Sequence, residues 1–254
     1  MPFEKVQSDK LSTGIVRQIE GLILRGILRP GDRLPGERDL AAQMAVSRPS
    51  LREALGELQE NGLLESRPGA GVYVADVLGS AFSPALIDLF ARHDAAIFDV
   101  LAFRRDVEGI AAARAATLAS DEDLAVIDRL TRRMAEGPRS PEDEARLDTE
   151  FHLAIIEAGH NIVMLHMMRS MYELLRDGVI YNRQVMFHQS PTRDTLLAQH
   201  QAINAALQAR DPERAKAAIA THLDTVEAAI RSQRRAEANA GFAKKRMEQE
   251  ARRG

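Results

Sequence analysis

The stretch Ser47-Arg48-Pro49-Ser50-Leu51-Arg52-Glu53-Ala54-Leu55-Gly56-Glu57-Leu58 decides the fold of the first third of the chain. Leu51, Leu55 and Leu58 recur at helical spacing and define a buried face. Ser47 suits an N-cap, and Pro49 is tolerated because first-turn N–H groups have no helical partner. Asn61-Gly62 closes the helix. Upstream, Leu11, Ile15, Ile19, Leu22 and Ile23 predict an amphipathic helix over about 11–26, ending near Gly26. Turn residues Arg29-Pro30-Gly31-Asp32 follow, and Glu37 to Ala45 makes a second short helix. Downstream, Leu63 to Arg67 and Gly71 to Ala75 read as two strands, with Pro68-Gly69-Ala70 as the hairpin tip. Three helices and a hairpin are the elements of a winged helix-turn-helix, here assigned to 1–76.

A short linker, 77–81, leads to a different texture. Ala/Leu-rich helical patterns run over about 82–93, 96–119, 121–136, 141–158, 161–180, 192–209 and 212–238. Asp121, Pro141, Asn161 and Pro212 mark starts, and Gly137 and Gly159 mark stops. Short connections favour an all-α antiparallel bundle over 82–238. A basic charged tail, 239–254, completes a mainly α chain.

The chain has 254 residues and a formal net charge of −3, which averages over strong segregation. Residues 1–75 carry ten basic and ten acidic side chains. Residues 76–230 carry sixteen basic against twenty-four acidic, and 231–254 carry eight against three. A neutral nucleic-acid module relies on dimerisation and base contacts more than on bulk attraction. No apolar run reaches membrane-span length and no signal-peptide pattern opens the chain, so a cytoplasmic protein is expected. The absence of cysteine removes disulfides, thiol catalysis and Cys-ligated metals.

Arg48, Ser50 and Arg52 share the polar face of the third helix. The start of such a helix enters the major groove, where an arginine fork pairs with guanine O6 and N7. The same arginines also fit a merely solvated face. In the second segment, Asp148 and His152 are four apart and project from one helix face. His200 and His222 lie on the two following helices. Together they suit Zn²⁺, or Ni²⁺ or Mn²⁺, through imidazole nitrogen and carboxylate oxygen. Each histidine alone also fits a satisfied helix interface, the reading kept for His93, His160, His166 and His188.

The string Gly26-Ile27-Leu28-Arg29-Pro30-Gly31-Asp32-Arg33-Leu34-Pro35-Gly36-Glu37-Arg38-Asp39-Leu40-Ala41 precedes Val46-Ser47-Arg48-Pro49-Ser50-Leu51-Arg52. Gly62-Leu63-Leu64 and Gly69-Ala70-Gly71-Val72-Tyr73-Val74 follow. Residues 10–75 thereby resemble the DNA-binding domain of the GntR family of bacterial transcription regulators. The resemblance implies base and phosphate contacts from Arg38, Arg48 and Arg52, and backbone contacts from Ser47 and Ser50. It implies a minor-groove wing at Arg67 and Gly69. Gly36 stands where the family more often has serine or proline, a cap position that glycine fills at little cost.

Phe98-Asp99-Val100-Leu101, Arg104, Glu108, Asp148-Thr149-Glu150-Phe151-His152, His200-Gln201 and His222-Leu223 are similar to the all-helical FCD domain of the FadR subfamily, over about 80–232. In metal-containing members the four matching positions hold the ion, which carries the role to Asp148, His152, His200 and His222. Parts of the chain look like regulators of pyruvate, glycolate and lactate metabolism. The resemblance implies a repressor that binds operator DNA as a homodimer, controlled by a small carboxylic acid such as pyruvate, lactate or glycolate. Such an acid would fill open positions on the ion, and Arg104 is the candidate to pair with its remaining carboxylate oxygen. The competing reading of Arg104 is an intrahelical pair with Glu108 at i+4. Two rival functions remain at this point, a metal-dependent hydrolase and a regulator that senses the metal itself. Lys244-Lys245-Arg246 and Arg252-Arg253 either touch DNA backbone or form a solvated helix end.

Overall fold

A computed structural model describes residues 11–76, 86, 89–90, 93–137, 140–174, 193–251 and 253. The chain divides into two compact units, Met1–Gly79 and Ser80–Gly254.

The first unit packs α1 (Leu11–Leu24), α2 (Glu37–Gln43) and α3 (Arg48–Glu60) against a hairpin of β1 (Leu64–Arg67) and β2 (Gly71–Val74). Ile15, Val16, Ile19 and Ile23 of α1 meet Leu51, Ala54, Leu55 and Leu58 of α3 in one core. The first helix ends two residues before the expected Gly26. Gly26 adopts φ 72°, and its N–H and that of Ile27 donate to the carbonyls of Ile23 and Leu22 at 3.0 and 2.9 Å. Those two bonds satisfy carbonyls that the last turn leaves open. Ser47 caps α3, its hydroxyl accepting from the Ser50 N–H. Ala45, between α2 and α3, holds φ 53°, a left-handed conformation costly to any residue with a Cβ. The strands pair antiparallel with Leu64 opposite Val74, and these two residues face the core. Gly69 at the tip has φ 72°.

The second unit contains α4 (Asp94–Leu118), α5 (Asp121–Ala135), α6 (Pro141–Ala158), α7 (Ile162–Leu174), α8 (Arg193–Gln208) and α9 (Pro212–Ala251). Ser120 and Asp123 form a reciprocal capping box at α5, and Ser140 caps α6. Ala112, Ala115 and Ala116 of α4 let Phe151 and Ile155 of α6 and Ile219 and Leu223 of α9 approach closely. Helix α9 packs along both α4 and α8, which brings α6, α8 and α9 around one interior. The expected helix over 82–93 and the end of that over 161–180 lie largely outside the described residues, as does His188. The helix expected over 212–238 continues to Ala251, so the basic tail is helix up to that residue. No helix among the described residues is long and apolar enough to cross a membrane.

Candidate metal centre and nucleic-acid interface

Inside the bundle, α6 contributes Asp148 and His152, α8 contributes His200 and α9 contributes His222. Each offers one ligand atom, and the four atoms lie within 4.8 Å of one another. None of the four residues is more than 4% exposed. The His200 and His222 ring centroids are 4.5 Å apart, and His200 Nε2 lies 3.2 Å from Asp148 Oδ1. Helical i, i+4 spacing explains the α6 pair, while α8 and α9 bring the other two through their shared core.

The outward nitrogens fix the orientation of two rings. His152 Nδ1 is 2.7 Å from Glu108 Oε2, and His222 Nδ1 is 3.2 Å from Gln199 Oε1. The Gln199 acceptor at His222 Nδ1 holds the proton there and leaves the Nε2 lone pair for a cation, the usual arrangement around ligating histidines, while Glu108 stands at ion-pair distance from His152 Nδ1. Both ring nitrogens of His152 are buried with no hydrogen-bond partner among the described residues, Nδ1 having only its ion-pair contact with Glu108. Leaving a buried polar atom unpartnered is costly, and a bound ion removes that cost. Burial holds His222 well below its ordinary pKa, and the neighbouring His200 and His152 push it further down. Neutral imidazole is the metal-binding form. The donor set therefore fits a divalent ion.

Glu108 anchors the surrounding polar network. It accepts from Arg104 Nε at 2.7 Å and from the Tyr172 hydroxyl at 2.8 Å, and Arg104 Nη2 donates to Tyr172 at 2.9 Å. Burial alone would raise the Glu108 carboxyl, but Arg104 and His152 together hold it down at about 2. Arg104 thus forms the i+4 pair named as the competing reading, deep in the bundle rather than on a surface. Its charge also reaches His222, whose pKa it lowers. Arg105, one step round the helix, pairs with Asp224 at 2.8 Å.

Asp148 and His200 also line a half-open depression with Met134, Glu144, Arg193, Leu196 and Leu197. At that depression Arg193 donates to Glu144 at 3.0 Å and to the Gly137 carbonyl at 2.8 Å. The remaining described histidines lie outside the cluster, with His160 beside Asp123 at 3.1 Å. Glu108 was singled out in the sequence only as a partner for Arg104, and Gln199, Tyr172 and Arg193 were not singled out. For Gln199 the one available signal was its place directly before His200.

In the first unit, Glu37 of α2 gathers two α3 arginines, Arg52 at 2.7 Å and Arg48 at 3.7 Å. Arg38 stands 86% exposed beside Asp39. The Ser47 and Ser50 hydroxyls lie 2.8 Å apart at the start of α3. On the hairpin, Arg67 pairs with Glu65 at 2.6 Å and sits 4.3 Å from the Tyr73 ring centroid. All four arginine pairings are solvent-exposed and weak, so they cost little to break.

Residues 11–74 match the family "Bacterial regulatory proteins, gntR family", and residues 99–225 match the FCD domain. The chain is 35% identical over 226 residues to the "Putative L-lactate dehydrogenase operon regulatory protein" of Escherichia coli K12, covering 87% of each chain. It is 32% identical over 218 residues to the Glc operon transcriptional activator of the same organism, covering 84% of this chain and 86% of the relative. Among solved structures, Streptococcus agalactiae GntR matches with a TM-score of 0.53 and 24% identity, over 85% of this chain and 98% of that one. With a DNA-binding module and an FCD domain matched in that order, the chain belongs to the gntR family of bacterial transcription regulators.

Proposed function

We propose that the protein is a repressor that binds operator DNA as a homodimer and is controlled by a small 2-hydroxy or 2-oxo acid at the bundle's metal centre. The observation that carries this reading is the buried Asp148, His152, His200 and His222 cluster, oriented by Glu108 and Gln199, in a chain with a DNA-binding module. A divalent ion, Zn²⁺ or else Ni²⁺ or Mn²⁺, would supply coordination positions for the acid's carboxylate and adjacent oxygen. The half-open depression beside Asp148 and His200 is the approach for that acid. Arg104 is the cationic partner proposed for its carboxylate, and it also holds Glu108 in place. Lactate and glycolate lead the effector candidates, because the relatives' names refer to L-lactate dehydrogenase and Glc operons.

On the DNA side, Arg38, Ser47, Arg48, Ser50 and Arg52 are proposed to meet the major groove and its phosphates, and Arg67 and Gly69 the minor groove. One short recognition helix contacts few base pairs, so paired half-sites supply the affinity. Exposed Phe103 and Ile110, seven residues apart on α4, support a face for a second copy. A hydrolase at this centre needs a free general base. Glu108 and Glu144, the buried carboxylates at the centre and its approach, are tied to Arg104 and Arg193.

A thermal-shift screen of Zn²⁺-loaded protein with pyruvate, lactate and glycolate tests the effector, since a ligand specific to the folded state raises the Tm. A rise with one acid that disappears in His200→Ala supports the reading. No rise with any small acid overturns it.

A further inference from the structure

Beyond Ile230, no residue described on α9 is buried, yet the helix runs on to Ala251. Ala236, Ala238, Ala240 and Ala243 supply the helix propensity that sustains it without tertiary packing. At about 100° per residue, Arg231, Arg234, Arg235, Lys245 and Arg246 fall within an arc of about 120° on this extension. Glu237, Glu248 and Glu250 fall outside that arc. The stripe is about 22 Å long, at 1.5 Å of rise per residue. Arg231 pairs with Glu227 one turn earlier on α9 and lies over the Phe98 ring of α4. Arg235, Lys245 and Arg246 have no ion-pair partner among the described residues.

Several arginines elsewhere are already paired with carboxylates. The α3 arginines share Glu37, and bundle carboxylates such as Glu144, Glu150, Glu157 and Asp224 are engaged by bundle arginines. The basic face of α9 is thus a one-sign surface in a chain whose DNA-reading module is neutral. A nucleic-acid backbone, with one charge per about 1.7 Å of duplex, is the polyanion that complements such a stripe.

We propose that the basic face of the α9 extension binds DNA phosphates and supplies the sequence-independent attraction that the first unit lacks. This inference rests on the regulator reading. The full-length protein is compared with a variant combining Arg235→Gln, Lys245→Gln and Arg246→Gln, which keeps helix propensity and touches no buried residue. Binding to a mixed-sequence DNA duplex is followed by fluorescence anisotropy from about 50 to about 200 mM salt. Losing three phosphate contacts lowers the slope of log K against log salt by about 2.7 for each tail engaged, so the wild-type advantage shrinks about 40-fold per engaged tail across that range. Equal slopes and affinities overturn the inference. Unchanged DNA binding with weaker self-association in sedimentation assigns the stripe to a second copy, and overturns it as well. Arg48→Ala serves as the control: if it loses DNA binding while the tail variant does not, the regulator reading stands and the tail role falls. A wild-type chain that binds no duplex overturns both.

Discussion

His152 Nδ1 lies 2.7 Å from Glu108 Oε2, so a residue of α4 that is not itself a candidate ligand stands against a ligand on α6. The same carboxylate is gripped by Arg104 and Tyr172. The centre is therefore a product of five helices, three bearing ligands and two, α4 and α7, bearing their support.

Glu108→Gln keeps an acceptor for His152 but removes the charge that raises ligand basicity. Loss of such support lowers metal affinity about 10–100-fold. Competition for Zn²⁺ against a chelator at a temperature where both proteins are folded measures this. Equal affinity for wild type and variant would remove Glu108 from the centre's design.

Acid stability of the chelator-treated protein follows from two groups. Glu108 ionises at about 2 in the folded protein against an ordinary 4.5. The unfolded chain thus binds more protons between those values, and Glu108's stabilisation, about 3 kcal/mol, is present above 4.5 and lost as pH falls toward 2. His222, held well below 6.5 mainly by burial, is neutral when folded, so unfolding takes up its proton below pH 6.5. Denaturant midpoints should decline below about pH 6.5 and again below about 4.5. A flat midpoint from pH 7 to 3 contradicts both assignments.

His200→Ala removes one of three imidazoles from the centre. Wild-type Tm should rise with Zn²⁺ and fall with chelator, because an ion bound only to the folded state stabilises it. The variant should lose most of that rise, and its ion-free Tm should also fall, because truncating an imidazole packed against Phe151 leaves a cavity. A full Zn²⁺ response in the variant would rule out His200 as a ligand.

Ala45→Gly should stabilise the first unit. The left-handed conformation at φ 53° costs a residue with a Cβ about 1–2 kcal/mol, and glycine's greater unfolded-state entropy returns only part of that gain. The expected net is about 0.5–1 kcal/mol in a chemical-denaturation curve, with DNA affinity unchanged. A destabilised variant would show that the alanine methyl makes a packing contribution larger than its strain.

The parts of the fold that depend on local pattern were readable. The leucines at 51, 55 and 58 placed α3, and Asp148 with His152 placed half the centre, because i, i+4 spacing is a property of one helix. His200 and His222 needed the family resemblance to join them, since no spacing rule links separate helices. Glu108 and Tyr172, 64 residues apart, meet only when the bundle closes. Helix α9 ran past its expected end because apolar periodicity stops at Ile230, while alanine-rich propensity carries the backbone onward.

Glu37 has a consequence for selectivity. Its carboxylate lies 2.7 Å from Arg52 and 3.7 Å from Arg48, the two α3 arginines proposed above to meet the major groove. A duplex reaching α3 therefore trades one anion for another, and the exchange is close to electrically neutral. Little is gained by any sequence that offers the pair charge alone. In the proposed complex a base edge that both guanidinium forks can grip replaces this weak pairing with a better one, so the carboxylate tilts the pair toward bases over bare phosphate by a small margin.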